Sequence, residues 1–143
     1  MTRPQRMAHV VINVTNLEQA ERFYCEGLGM SASGRFDGQM TFLYFGDDGQ
    51  APHPFYHDIG LYKVDQPADE DFRARSGVSH VALLMSSPRD VDAAAQRLRE
   101  LGFEVLKGPA VHKEDGYRYV YVQDPDRNVL ELIAPTEATE ALA

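Results

Sequence analysis

The chain has 143 residues, of which 43% are hydrophobic and 25% charged, which is enough for one compact domain and too few for two large ones. Its 22 acidic and 14 basic residues give a formal net charge of -8, which argues against nucleic acid and anionic membranes as partners. A single cysteine, Cys25, excludes an internal disulfide, and no apolar run has the length of a signal peptide or a membrane span. We therefore expect a cytoplasmic protein.

The first part of the chain, residues 7–64, predicts one strand, one helix and three further strands. The apolar alternation of residues 7–14 is typical of a strand that carries His9 on one face. A helix pattern follows from about Leu17 to Leu28. The later strands are expected at residues 30–36, 40–45 and 55–64, with a polar loop at 46–54.

Residues 78–134 repeat this order of elements after a polar linker at 65–77. A strand is expected at 78–85, beginning near His80. A helix is expected at 88–101, where Ser87 is a suitable cap and Gly102 a suitable end. The last three strands are expected at residues 103–106, 117–122 and 129–134. The tail at 135–143 has little to bury, so we expect it to fray.

The two parts are related by an internal repeat. AHVVINVTNLEQAERFYCEGLGM and SHVALLMSSPRDVDAAAQRLRELGF share a small residue, a histidine, an apolar run, a polar turn, a helix pattern and Leu-Gly before a large apolar residue. His9 corresponds to His80, and Gly29 to Gly102. Because only two copies fit, the repeat indicates a duplication and not a solenoid. The sequence therefore predicts an α+β fold built from two βαβββ modules.

Residues of types that commonly bind metals or transfer protons occur at regular steps near the end of the chain. Tyr121 follows His112 by nine positions, and Glu131 follows Tyr121 by ten. Glu131 lies within the apolar run VLELI, where an unpaired charge would be costly. Together with His9 and His80, these residues suggest a mononuclear metal site with its surrounding polar groups.

The duplicated modules, the strand-opening histidines and DPDRNVLELI near the end resemble the vicinal oxygen chelate superfamily, which includes glyoxalases, epimerases, antibiotic-resistance proteins and extradiol dioxygenases. The resemblance covers about residues 7–135. It implies a single domain in which two modules form a cupped mixed sheet around a metal. It also implies that His9, His80 and Glu131 are the metal ligands.

Finer features are similar to the catechol 2,3-dioxygenase branch in its one-domain form. HDIGL resembles the motif that contains the acid-base histidine of that branch, and the matching residue here is His57. GPAVH matches the segment that contains a second histidine, here His112. Tyr121 stands ten residues before the expected metal carboxylate, as in that branch. The resemblance implies catalytic roles for these three residues. Each also has a plainer interpretation, as a histidine at a surface edge, a loop histidine or an ordinary tyrosine of a strand.

Two points within the resemblance remain open at this stage. Arg127 stands in the turn DPDRN where the family pattern has Gly, which is expected to cost about 1 kcal/mol if the backbone φ is positive there. In glyoxalase-type members the fourth strand supplies a further carboxylate ligand. If Gly60 occupies that place the metal keeps an open face, whereas Asp58 would make a four-ligand site.

The function that the resemblance implies is an Fe(II)-dependent extradiol dioxygenase, since two imidazoles and one carboxylate leave adjacent metal positions open for a catechol and dioxygen. Two alternatives remain: a glyoxalase- or epimerase-type lyase or isomerase, and a protein that binds a drug or metabolite. Mn(II), Zn(II), Ni(II) or Co(II) are alternatives to iron. The expected partners are a small-molecule substrate, dioxygen and a second copy of the chain in a homodimer.

Overall fold

A computed structural model describes all 143 residues, and it divides the chain into two compact units, residues 1–67 and 68–143. Each unit is described by itself. No helix is both long and apolar enough to cross a membrane. That the two units act as one domain stays a prediction.

The first unit contains a four-stranded mixed sheet with one helical segment. The elements are β1 (Val10–Val14), α1 (Leu17–Glu21), β2 (Ser31–Phe36), β3 (Met40–Tyr44) and β4 (Ile59–Lys63). The strand order is β1-β4-β3-β2, in which β1 runs parallel to β4 and the other neighbours are antiparallel.

The second unit has the same topology. Its elements are β5 (Val81–Leu84), α2 (Pro88–Glu100), β6 (Glu104–Val111), β7 (Arg118–Gln123), β8 (Val129–Ala134) and α3 (Glu137–Glu140), with a short 3₁₀ turn at Phe72–Ala74. The order β5-β8-β7-β6 matches the first sheet strand for strand. The predicted α+β class and the two βαβββ modules are therefore confirmed.

Helix α2 holds the second sheet together through its apolar stripe. Ser87 caps the helix, its hydroxyl accepting from the Asp90 amide at 3.2 Å, and Pro88 occupies the first turn. The stripe is fully buried, as are the alternate residues of β7 and β8 that face it; these core residues are Val91, Ala94, Ala95, Leu98, Val120, Val122, Leu130, Leu132 and Ala134. Because side chains alternate along a strand, the other face of this sheet is left for polar residues.

Several element bounds differ from the sequence prediction for local reasons. The first helix leaves the α form at Arg22 and continues as a π-helical segment to Gly27, which buries Phe23 and Tyr24 next to each other. Strand β4 begins at Ile59 because the preceding residues form a turn, in which the Tyr56 amide donates to the His53 carbonyl at 3.1 Å. Strand β6 continues beyond the predicted end at residue 106, through Gly108-Pro109 to Val111, since bulges absorb the irregular residues.

Arg127 adopts the left-handed backbone that the sequence analysis anticipated, with φ at +68°. Its guanidinium donates to the carbonyls of Ala68 and Asp69 and lies 5.5 Å from the centre of the Phe72 ring. These contacts offset the conformational cost of a non-glycine residue at this φ. The side chain thereby fastens the start of the second unit to the turn before β8.

Candidate functional site

A buried carboxylate held by two histidines is the central feature of the second unit. Glu131 is only 7% exposed. Its Oε1 lies 3.2 Å from Nε2 of His80, and its Oε2 lies 2.7 Å from Nε2 of His112. Because a carboxylate can only accept hydrogen bonds, both imidazoles donate. Two of the three predicted metal ligands and one predicted catalytic residue therefore lie together.

The sheet register brings these side chains to one face. In β8, Glu131 pairs with Ala82 of β5, two residues after His80, and with Tyr121 of β7. His80 lies directly before β5 and His112 directly after β6, so neither belongs to a strand. The face opposite the α2 core thus collects the polar groups that the sequence analysis singled out.

Aromatic rings surround the carboxylate and orient its histidines. The His112 ring stacks on Tyr119 with 3.7 Å between ring centres and 10° between the planes. Tyr121 meets His80 edge to face at 5.3 Å. Strand alternation places Tyr119 on the face of Tyr121, but nothing in the sequence marks it as a support for His112. Tyr119 is the residue of this site that the sequence analysis missed.

The environment of Tyr121 raises the pKa of its phenol above the ordinary value. Burial is the main cause, followed by the negative charge of Glu131 and a hydrogen bond to that carboxylate. The phenol therefore keeps its proton across the neutral range. Tyr121 is suited to donate a hydrogen bond and not to act as a base.

The first unit brings His9 and His57 into ring contact. Their ring centres lie 4.1 Å apart, and the His57 ring also lies 4.9 Å from that of Phe42. His57 is oriented by its Nδ1, which is 2.8 Å from the carbonyl oxygen of Phe55 and donates to it. This leaves Nε2 as the atom that accepts a proton.

The register of the first sheet decides between Gly60 and Asp58. Gly60 pairs with Val11, two residues after His9, just as Glu131 pairs with Ala82, two residues after His80. Gly60 therefore occupies the position equivalent to Glu131. The Asp58 carboxylate is engaged elsewhere, since it accepts from the Phe45 amide at 2.8 Å and from the Tyr56 hydroxyl at 3.3 Å.

The absence of a side chain at Gly60 makes room for His57. A Cβ at this position would lie 3.3 Å from Cδ2 of His57 and 3.1 Å from Cε of Met40. In the first unit a histidine ring thus fills the space where the second unit has a carboxylate.

Two of the predicted ligands fit a divalent metal in chemistry and spacing. As the chain stands, no group of three or more His, Cys, Asp or Glu side chains is arranged around a metal position. Nε2 of His80 and Oε1 of Glu131 nevertheless have the separation, about 3 Å, of two donors that bind one ion at about 2.1 Å each. The hydroxyl of Ser79 lies 3.1 Å from Nδ1 of His80, as the outer partner of a ligating imidazole usually does. His9 lies in the first unit, and its role as a ligand stays a prediction.

Cys25 and His53 are not among the predicted site residues. Burial, reinforced by the charge of Glu21, raises the pKa of the Cys25 thiol to about 11, so it stays protonated and is not a nucleophile at neutral pH. His53 packs against Tyr56, and its Nδ1 accepts from the Phe55 amide.

Replacing Glu131 by Gln should lower the pKa of Tyr121, because it removes the negative charge that opposes ionisation of the phenol. The titration of Tyr121 in metal-free protein, followed by the NMR shift of its ring carbon Cζ, should move to lower pH in Glu131→Gln. The matched control Glu114→Gln changes an exposed carboxylate and should leave the midpoint where it is. An identical midpoint in wild type and Glu131→Gln would contradict this electrostatic account.

Comparison with known proteins identifies the family. Residues 6–132 match the Glyoxalase/Bleomycin resistance protein/Dioxygenase superfamily. A probable lactoylglutathione lyase of Synechocystis is 27% identical over 133 residues, covering 89% of this chain and 93% of that protein. A glyoxalase/dioxygenase from Nostoc punctiforme superposes with a TM-score of 0.72 at 19% identity, covering 92% of each chain. A glyoxylase/bleomycin resistance protein/dioxygenase domain from Frankia has the same TM-score at 21% identity, covering 94% of this chain and 95% of that one. The chain therefore belongs to the glyoxalase/bleomycin resistance/dioxygenase superfamily.

Proposed function

We propose that the protein is a metal-dependent enzyme that converts a small molecule bearing two neighbouring oxygen atoms, by a lyase or isomerase reaction of glyoxalase type. The observation that carries the proposal is the buried Glu131 carboxylate held by His80 and His112. A charge so deep in an apolar sheet is costly unless it is paired, and binding a cation is one function that offsets this cost. The probable lactoylglutathione lyase among the relatives supports this reaction class.

The proposed metal ligands are His80, Glu131 and His9. A bound divalent ion, Ni(II), Zn(II), Co(II) or Mn(II), would polarise a substrate oxygen and make a neighbouring C–H more acidic. His80 and Glu131 then hold their orientation through the paired strands β5 and β8. The Ser79 hydroxyl keeps the His80 ring in place from its other nitrogen.

The remaining polar groups of this face, together with His57 of the first unit, are proposed to move and hold protons. His112, fixed by its stack on Tyr119, can exchange a proton through Nε2. Tyr121 keeps its phenol proton and donates a hydrogen bond to a substrate oxygen. His57, with Nδ1 committed to the Phe55 carbonyl, offers Nε2 as the second acid-base group. A lyase or isomerase that shifts a proton between neighbouring carbons uses groups of this kind.

The second candidate is the Fe(II)-dependent extradiol dioxygenase of the catechol 2,3-dioxygenase type. Gly60 favours it, because the place of a fourth carboxylate ligand holds no side chain and His57 fills the space. Two imidazoles and one carboxylate are the usual ligands of non-haem Fe(II). We prefer the lyase or isomerase reaction to the dioxygenase reaction because one of the relatives is a probable lactoylglutathione lyase. A protein that only binds a drug or metabolite needs no acid-base groups around a buried carboxylate.

We further propose that the protein works in the cytoplasm as a homodimer on a small-molecule substrate. Strands β1 and β5 each lie at one end of their sheet, and edge strands are positions where a partner strand commonly pairs.

Turnover with and without oxygen separates the two reaction classes. Protein loaded anaerobically with Ni(II), Zn(II), Co(II) or Mn(II) should convert 2-oxoaldehydes and glutathione to a thioester, followed by absorbance. Protein loaded with Fe(II) should consume no oxygen with a panel of catechols. Oxygen uptake equal to catechol consumed, with a yellow ring-opened product, would overturn the lyase assignment and establish the dioxygenase.

Replacing His57 by Phe should lower kcat by about 100-fold to 10,000-fold, because the ring volume is kept and the acid-base group is lost. Metal content, measured by mass spectrometry, should equal that of wild type. His53→Phe alters the neighbouring histidine that lies outside the site and should change kcat less than about twofold. Unchanged turnover in His57→Phe would remove this residue from the mechanism.

A further inference from the structure

The C-terminal segment of the chain, residues 135–143, is folded against the turn at Gly116 within the second unit. Residues 137–140 form the helical turn α3, in which the Glu140 amide donates to the Thr136 carbonyl at 3.1 Å. The Thr136 amide donates to the Thr139 hydroxyl, also at 3.1 Å. A single helical turn does not persist by itself in water, so contacts outside the segment must hold it. The fraying predicted from the sequence is not what the structure shows.

The contact that holds the C-terminal segment is made at Gly116. The Thr136 hydroxyl donates to the Gly116 carbonyl. Gly116 has φ at +76°, and a Cβ at this residue would lie 2.7 Å from the Thr139 amide nitrogen and 2.8 Å from the Cβ of Ala138. Only glycine allows both this backbone conformation and this close approach. The turn and the helix are therefore fitted to each other.

Gly116 belongs to the turn that carries His112. The Gly116 amide donates to the His112 carbonyl at 2.9 Å, and the His112 amide donates to the Tyr117 carbonyl at 2.9 Å. The Tyr117 amide in turn donates to the Asp115 carboxylate at 3.0 Å. The backbone of His112 is thus fixed by the residues on which α3 rests.

We infer that Thr136 and the helical turn α3, residues 136–140, position His112 against Glu131, with Thr136 as the positioning residue. A continuous chain of contacts runs from the Thr136 hydroxyl to Gly116, from Gly116 to the His112 backbone, and from Nε2 of His112 to Oε2 of Glu131. The inference rests on the proposed function for its catalytic consequence, because His112 is the proton-exchanging group there. Its structural part requires neither a metal nor a substrate.

The test compares two substitutions of Thr136. Thr136→Val keeps the branched shape and removes the hydroxyl, whereas Thr136→Ser keeps the hydroxyl. The ring signals of His112 are recorded by NMR in metal-free, full-length protein and assigned with His112→Asn. Thr136→Val should shift and broaden them and should lower kcat about threefold to tenfold with KM within about twofold, the scale of one hydrogen bond. Thr136→Ser should restore both.

Two further variants complete the test. Gly116→Ala blocks the approach of α3 and should displace the His112 signals as Thr136→Val does. Removal of Leu142 and Ala143 shortens the same segment without touching Gly116 and should change nothing. Unaltered His112 signals in Thr136→Val, or equal changes in the Val and Ser variants, would overturn the inference. A protein that turns over no substrate refutes the proposed function alone, since the ring signals still report the position of His112.

Discussion

The requirement that Glu131 find partners inside an apolar strand organises the second unit. Leu130 and Leu132, its neighbours along β8, face the α2 core, so the carboxylate is directed to the opposite face of the sheet. On that face the register supplies a histidine before β5 and a histidine after β6. Hydrogen bonds to a charged group are among the stronger ones, and losing one partner of a buried carboxylate is costly. Fold and site are therefore coupled through one residue.

The duplication preserves topology while the chemistry of the two halves diverges. Both sheets have the same strand order and the same register two residues after the histidine. At the equivalent position, however, one half has Gly60 and the other Glu131. Because Gly60 has no side chain, the His57 ring packs next to it, and the first half has a second imidazole where the second half has a carboxylate. A duplicated scaffold can in this way carry chemically different side chains at equivalent positions of its two copies.

Much of this arrangement could be predicted from the sequence. The two βαβββ modules could be predicted from hydrophobic periodicity and the internal repeat. That His80, His112 and Glu131 lie close together could be predicted from the resemblance of their sequence spacing to that of the superfamily. The role of Tyr119 could not be predicted, because alternating tyrosines are ordinary in strands and stacking depends on where the bulged β6 delivers His112. The folded tail was missed for a similar reason: composition alone does not reveal that Gly116 leaves room for α3.

The most direct test of the account is the stoichiometry and affinity of divalent metal binding by wild type, Glu131→Gln, His80→Ala, His9→Ala and His112→Asn. The account predicts one ion per chain in wild type and binding weakened more than about 100-fold when a ligand is replaced. In His112→Asn, which removes only an outer partner, binding should weaken by about 10-fold to 100-fold. Equal metal affinity in wild type and Glu131→Gln would contradict the claim that this buried carboxylate is the centre of the site.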